Sequence, residues 1–115
     1  MELTREFVYL SEFEKRLKEL KLSKQDEIGI EKMLLADPKI GDVIKGTNGL
    51  RKVRYTSKKS NSGKSGSFRI FYVDIESGNI IILITLISKG ESDNLTHEER
   101  NSLKQKMNRL KQFYN

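Results

Sequence analysis

Apolar residues recur at intervals of three and four in three stretches of the chain, which predicts three amphipathic helices. Each stretch opens with a serine or threonine that is followed three residues later by an acidic residue, the spacing of a capping box. The three pairs are Ser11 with Glu14, Ser23 with Asp26, and Thr96 with Glu99. The apolar stripe of the last helix consists of Leu103, Met107, Leu110 and Tyr114. We expect the second helix to end near Asp37, because Pro38 disfavours helical geometry in the residue before it.

Four shorter stretches have the length and composition of β-strands. They are Phe7–Leu10, Leu50–Ser57, Phe68–Ile75 and Ile80–Ile87. The last is a nearly unbroken apolar run, so we expect it to be buried on both faces and central in its sheet. The order β-α-α-β-β-β-α, with antiparallel hairpins and the helices on one side, predicts an α+β fold. Residues 1–115 are expected to form a single domain, since this length is near the common domain size.

The positive charge of the chain is concentrated in one segment, Val43 to Val73. No Asp or Glu lies between Asp42 and Asp74, and the whole chain carries +6, so removing the eight cations of this segment leaves −2 on the remaining residues. The eight are Lys45, Arg51, Lys52, Arg54, Lys58, Lys59, Lys64 and Arg69. Because clustered cations act together on one polyanion, the expected partner is a phosphate backbone.

Composition excludes several other classes of protein. The chain has no cysteine and one histidine, so disulfides, thiolate metal sites and histidine-rich metal clusters are not expected. The first twenty residues contain acids from Glu2 onward and no unbroken apolar run, which is unlike a signal peptide or a membrane span. We therefore expect a cytoplasmic protein without a membrane partner.

Strand geometry groups the basic residues. Lys52 and Arg54 lie two residues apart on the second predicted strand and project from one face, whereas Arg51 and Tyr55 project from the other. Arg69, on the next strand, joins the first pair if the two strands pair with each other. Such a trio would hold a phosphodiester and stabilise the extra negative charge of a pentacoordinate transition state. A solvated, charged sheet face is the alternative interpretation.

Three aromatic residues lie on the same two strands, at Tyr55, Phe68 and Tyr72. Aromatic rings next to cations can stack on nucleic-acid bases. Aromatic residues on strands are more often part of a core, and we favour that interpretation.

The runs DPKIGDVIKGTNGLRKVRY and GKSGSFRIFYV, followed by an apolar strand that leads into SKGESDNLT, resemble the RelE/HigB-type toxins of bacterial type II toxin–antitoxin systems. The similarity extends from about Phe7 to Leu110, and the predicted element order is similar to that of the family. The resemblance implies a RelE-like fold and a metal-independent endoribonuclease that cleaves translated mRNA in the ribosomal A site. It also implies contacts with 16S ribosomal RNA and neutralisation by a cognate antitoxin, here a helix-turn-helix protein of the HigA type.

The resemblance also assigns roles by position. Lys52 and Arg54 match basic residues that bind and polarise the scissile phosphate, and Arg69 matches an arginine that stabilises the transition state. Lys89 matches the basic residue after the fourth strand. In the implied reaction the ribose 2′-hydroxyl attacks the adjacent phosphate.

The proton-transfer group is where the chain departs from the family. Many relatives have Tyr or His at or after the end of the fourth strand, where this chain has Ile87 and Ser88. His97 is the nearby candidate, because an imidazole exchanges protons near neutral pH. A surface histidine in the first turn of a helix is the structural alternative. Tyr55, Tyr72 or lysines without a dedicated base are further alternatives.

The remaining cations are expected to dock the RNA. Arg51, Lys58, Lys59, Lys64 and Lys89 are the candidates, and loss of the loop lysines should weaken binding in a salt-dependent manner. The same surface also fits a module that binds nucleic acid or the ribosome without cleaving it.

Overall fold

A computed structural model of the chain describes residues 5–58, 66–92 and 94–115. In chain order the elements are β1 (Glu6–Tyr9), α1 (Ser11–Glu19), α2 (Lys24–Ala36), β2 (Asp42–Val43), β3 (Arg51–Thr56), β4 (Ser67–Ile75), a 3-10 turn (Glu76–Gly78), β5 (Ile80–Ser88) and α3 (His97–Tyr114). The strands form a five-stranded sheet in the order β1-β5-β4-β3-β2. The β1–β5 pair is parallel and the other three pairs are antiparallel. The α+β prediction is confirmed, and the two-residue strand β2 is the one that the sequence did not predict.

The sheet separates two apolar cores, because successive side chains of a strand point to opposite faces. On one face, the α1/α2 face, the helices α1 and α2 pack on the strands through Phe13, Leu17, Ile30 and Leu34. On the other, the α3 face, Met107 of α3 packs on strand residues that include Phe71, Val73 and Ile82. The expectation that all helices lie on one side is therefore wrong. Since β4 and β5 are apolar on both faces, each face needs a helix to exclude water.

β5 is buried on both faces, as the sequence predicted, but the middle position of the sheet belongs to β4. β5 lies between β1 and β4, because β1 adds to its free side in parallel orientation. The prediction that this strand is interior is confirmed, and the prediction that it is the central one is wrong by one strand.

Two of the three capping boxes are present. The Ser23 side chain accepts from the Asp26 backbone N–H and the Thr96 side chain accepts from that of Glu99, with the reciprocal bonds also formed. The Ser11 box is absent, because the helix begins one residue earlier than a Ser11 cap would require and Leu10 occupies the cap position. α2 ends at Ala36, as Pro38 predicts. None of the helices in the described ranges combines the length and the hydropathy needed to cross a bilayer.

The carboxylate of Asp26 connects the start of α2 to the end of β3. Asp26 is 3% exposed, and its Oδ1 accepts hydrogen bonds from the Tyr55 hydroxyl at 2.9 Å and the Ser57 hydroxyl at 2.7 Å. Its Oδ2 accepts from the backbone N–H of Ser23 at 3.0 Å. Burial acts to raise the pKa of Asp26, but the hydrogen bonds outweigh it and the pKa is lowered. The folded state therefore favours the ionised carboxylate.

We predict that Asp26→Asn lowers the free energy of unfolding at neutral pH by about 1–3 kcal/mol, because an amide cannot accept all of these bonds. The lowered pKa contributes stability that is present above the unfolded pKa of about 3.9 and is lost as pH falls through the folded value. Denaturant unfolding at neutral and acidic pH should show a smaller acid-induced loss in the variant. Asp42→Asn, at an exposed carboxylate on β2, is the control. Equal pH dependence of Asp26→Asn and the parental protein would contradict the assignment.

Candidate nucleic-acid interface

The register between β3 and β4 places Arg54 directly opposite Arg69. In such a cross-strand pair the Cβ atoms are about 4.5–5.5 Å apart. Both side chains project from the α3 face, since their neighbours Tyr55, Phe68 and Ile70 are buried in the α1/α2 core. Like charges directly opposite each other destabilise a sheet, and a bound anion between the two guanidinium groups would relieve that repulsion. The prediction that Arg54 and Arg69 come together is confirmed.

A cleft of about 260 Å³ opens beside this pair. It is lined by Arg54, Ser67, Phe68, Arg69, Ile87, Ser88, Lys89 and Glu91. Lys89 reaches the cleft because β5 pairs with β4 up to Phe68 and Ser88, so the turn after β5 lies next to the start of β4. The Arg54 guanidinium is oriented by the hydroxyl of Ser67, to which its Nε donates at 3.3 Å and its Nη2 at 3.2 Å.

Lys52 lies on the same strand as Arg54 and two residues before it, opposite Phe71 of β4. Strand alternation therefore gives it the same face as Arg54 and Arg69. It extends the positive surface of the α3 face along β3, away from Lys89.

Glu91 is a cleft residue that the sequence did not single out. Its Oε1 accepts from the backbone N–H of Ser88 at 2.8 Å and pairs with the guanidinium of Arg16, while the Nε of Arg16 donates to the carbonyl oxygen of Leu86 at 2.8 Å. The hydrogen bonds from the backbone N–H and the side chain of Ser88, followed by the charge of Arg16, lower the pKa of Glu91. Arg16 is 75 residues away in the chain, so only the fold shows this contact. The spacing of Ser88 and Glu91, which resembles that of a capping box, is the signal in the sequence that could have identified Glu91.

His97 lies at the first turn of α3, in a different cleft of about 350 Å³. That cleft is lined by Lys45, Gly46, His97, Arg100, Asn101 and Lys104. The structure therefore does not bring His97 together with Arg54 and Arg69, and its catalytic role stays a prediction. Within the described ranges, no three histidine or acidic side chains come together as metal ligands.

The cations predicted to dock RNA are dispersed. Arg51 projects from the opposite face, and its Nη1 donates to the carbonyl oxygens of Gly41 at 2.6 Å and Lys39 at 3.2 Å. Lys58 is exposed beside α2. Lys59 and Lys64 fall outside the described residues, so of the five candidates Lys89 is the one that lines the cleft.

The three aromatic residues are core residues. Tyr55, Phe68 and Tyr72 are all buried in the α1/α2 core, so the core interpretation is confirmed. Burial, and then the hydrogen bond to Asp26, raises the pKa of Tyr55 to about 12. The Tyr72 hydroxyl donates to the carbonyl oxygen of Pro38 at 2.9 Å, and burial raises its pKa. Because both phenols lie on the α1/α2 face, the suggestion that either acts as the base at Arg54 and Arg69 is wrong.

The architecture is that of a small α+β protein whose mixed five-stranded sheet carries two helices on one face and one on the other. Among solved structures it is similar to a mutant of the E. coli toxin RelE in the free state, with a TM-score of 0.52 and 19% sequence identity. The match covers 90% of this chain and 97% of that one. The chain therefore has a RelE-like fold, as the resemblance implied. No family model matches the sequence.

We predict that Arg54→Gln raises the free energy of unfolding by a few tenths of a kcal/mol at low salt, because it removes the repulsion between opposed cations while keeping a hydrogen-bond donor for Ser67. Added salt should reduce the gain, since exposed charges are screened. Denaturant unfolding of the variant and the parental protein at low and high salt measures the effect. The control Lys15→Gln removes an exposed charge on α1. A destabilised Arg54→Gln at low salt would show that the pair is structural.

Proposed function

We propose that this protein is the toxin of a type II toxin–antitoxin pair, an endoribonuclease that cleaves translated mRNA in the ribosomal A site. The observation that carries the proposal is the opposed pair Arg54 and Arg69, which shares a cleft with Lys89. The RelE-like fold supports it, because the similar solved structure is a toxin. Residues 1–115 would act as one cytoplasmic domain.

In the proposed reaction the ribose 2′-oxygen attacks the adjacent phosphorus and the bond from phosphorus to the 5′-oxygen breaks. The products are a 2′,3′-cyclic phosphate and a 5′-hydroxyl. Negative charge accumulates on the non-bridging oxygens in the transition state, and fixed cations stabilise it. Arg54 and Arg69 supply planar donors for these oxygens, and Lys52 supplies a further charge on the same face.

Two protons must also move, one from the 2′-hydroxyl and one to the leaving 5′-oxygen. Within the described ranges, the titratable groups that line the cleft beside the arginines are Lys89 and Glu91. Glu91 is ionised at neutral pH, because its pKa is lowered, and a carboxylate can accept the first proton. The ammonium of Lys89 can donate the second. We favour this assignment over His97, because His97 lies in the other cleft.

A second candidate function is binding of RNA or the ribosome without cleavage. The specific observation in its favour is that the lining of the cleft includes neither an imidazole nor a phenol among the described residues. A carboxylate with a lowered pKa is also a weaker base than an ordinary one, and this favours phosphate binding without proton transfer as the second candidate.

The proposed partner that controls the toxin is a cognate antitoxin. We propose a helix-turn-helix protein of the HigA type, encoded next to the toxin gene, and contacts between the toxin and 16S ribosomal RNA. Inspection of the neighbouring gene tests the antitoxin assignment directly.

We predict that expression of the protein in a bacterial host arrests growth and fragments translated mRNA, and that Arg54→Ala or Arg69→Ala each removes both effects. Loss of one donor to the transition state should reduce the cleavage rate by about 10²-fold or more. Transcript lengths by primer extension and growth curves are the measurements. The matched control is Lys15→Ala with Lys18→Ala, two exposed cations on α1 that do not line the cleft of Arg54 and Arg69.

Intact transcripts together with salt-sensitive RNA binding by the parental protein would favour the non-catalytic alternative. Cleavage that persists in both arginine variants would remove Arg54 and Arg69 from the chemistry.

We predict that Glu91→Gln reduces cleavage much more than Arg16→Met does. Both changes break the ion pair between Arg16 and Glu91, but only the first removes the proposed proton acceptor. The rate of the parental protein should fall as pH drops through the lowered pKa of Glu91, because the protonated acid cannot accept a proton. This fall in the cleavage rate at low pH should persist in Arg16→Met and be absent in Glu91→Gln.

Single-turnover cleavage at several pH values is the measurement. Equal losses in the two variants would show that Glu91 only fixes the position of the turn that carries Lys89.

A further inference from the structure

A second group of basic side chains lies at the start of α3, and the proposed chemistry does not use it. Lys45 comes from the loop between β2 and β3, while His97, Arg100 and Lys104 come from the first two turns of α3. Together with Asn101 they line the cleft of about 350 Å³ described above. The two lysines and His97 are exposed, so their polar ends are available to a ligand.

The loop that supplies Lys45 is fixed against α3. Arg100 Nη1 donates to the carbonyl oxygen of Lys45 at 3.0 Å, and the side chains of Asn48 and Asn108 are hydrogen-bonded to each other. On either side of the loop, Ile44 and Leu50 are buried in the core of the α3 face. The backbone that carries Lys45 is thus held in place, and little order would have to be gained on binding.

The acidic residues of α3 are on a different side of the helix. Positions 97, 100, 101 and 104 follow the three- and four-residue spacing of one helix face, whereas Glu98 and Glu99 lie between them in sequence. Glu99 is engaged in the cap, where its side chain accepts from the Thr96 backbone N–H at 2.8 Å. Neither acid lines the cleft, so among the residues that the structure describes its charged side chains are all basic.

We propose that this cleft, formed by Lys45, His97, Arg100 and Lys104, is a second binding site for the phosphodiester backbone of RNA, separate from the cleft where cleavage occurs. Its side chains bind and position phosphate and do not take part in the chemistry. α3 packs on the sheet face from which Arg54 and Arg69 project, so the arginine pair and the basic side chains of α3 lie on the same side of the sheet. The inference rests on the proposed RNA substrate.

The phosphates have two possible sources, the mRNA strand that occupies the cleavage cleft or a separate ribosomal RNA segment. The double variant Lys45→Gln with Lys104→Gln tests the site, and Lys15→Gln with Lys18→Gln removes the same charge from α1. Binding is measured with 2′-O-methyl RNA, which lacks the attacking hydroxyl and is not cleaved. The probes are a dinucleotide, a long single strand and intact ribosomes.

If the source is the mRNA strand, the site variant binds the long strand roughly ten-fold more weakly at low salt, and its salt dependence is shallower by about 1.4 in log–log slope. Its affinity for the dinucleotide equals that of the parental protein. If the source is ribosomal RNA, the loss is confined to the ribosome assay. In either case the double variant Lys45→Arg with Lys104→Arg binds as the parental protein does, because both positive charges are kept.

Equal binding by the site variant and the parental protein in all three assays would overturn this inference and leave the proposed cleavage intact. Equal losses in the site variant and the α1 control would overturn it as well, because they would reflect net charge alone. A parental protein that neither binds nor cleaves RNA would overturn both the inference and the proposed function.

Discussion

The register in which β3 pairs with β4 is the constraint on which both the fold and the candidate site depend. It places Arg54 against Arg69 on the α3 face, and in the same step it places Tyr55 against Phe68 in the opposite core. A shift of one residue in either strand would reverse its faces, burying a guanidinium among apolar side chains and exposing an aromatic ring. Core packing therefore fixes the register, and the register assembles the cations. Strand pairing alone is thus sufficient to bring the two arginines of the site together.

This dependence explains how a small sheet holds two like charges side by side. β4 and β5 are covered on both faces, by α1 and α2 on one side and by α3 on the other, and burial of their apolar side chains outweighs a repulsion of a fraction of a kcal/mol. The end of β3 is also fixed by the carboxylate of Asp26, which accepts hydrogen bonds from the hydroxyls of Tyr55 and Ser57. Stability thus comes from the two apolar cores and from the contacts of Asp26 rather than from the arginine pair.

Local patterns predicted most of the fold, because helix caps and strand alternation depend on residues close in sequence. The capping boxes at Ser23 and Thr96 and the common face of Lys52 and Arg54 are of this kind. The placement of α3 on the opposite face, the separation of His97 from the arginines and the approach of Arg16 to Glu91 were not predicted. Each depends on which distant segments meet, and hydrophobic periodicity marks an apolar face without specifying its partner. The family resemblance identified Lys89 as a candidate site residue. Resemblance to a known fold contains information about tertiary structure, whereas hydrophobic periodicity does not.

The short strand β2 has a consequence for the solution behaviour of the protein. It pairs with β3 only at Arg51 and Lys52, so in the described part of the chain the remaining four residues of β3 lie at the edge of the sheet. An exposed edge can recruit a strand from another molecule and start aggregation, and natural proteins protect such edges with charged side chains. Arg54 lies within this edge segment and is exposed. The charge that we assign to phosphate binding would therefore also oppose strand addition by a neighbouring copy of the chain.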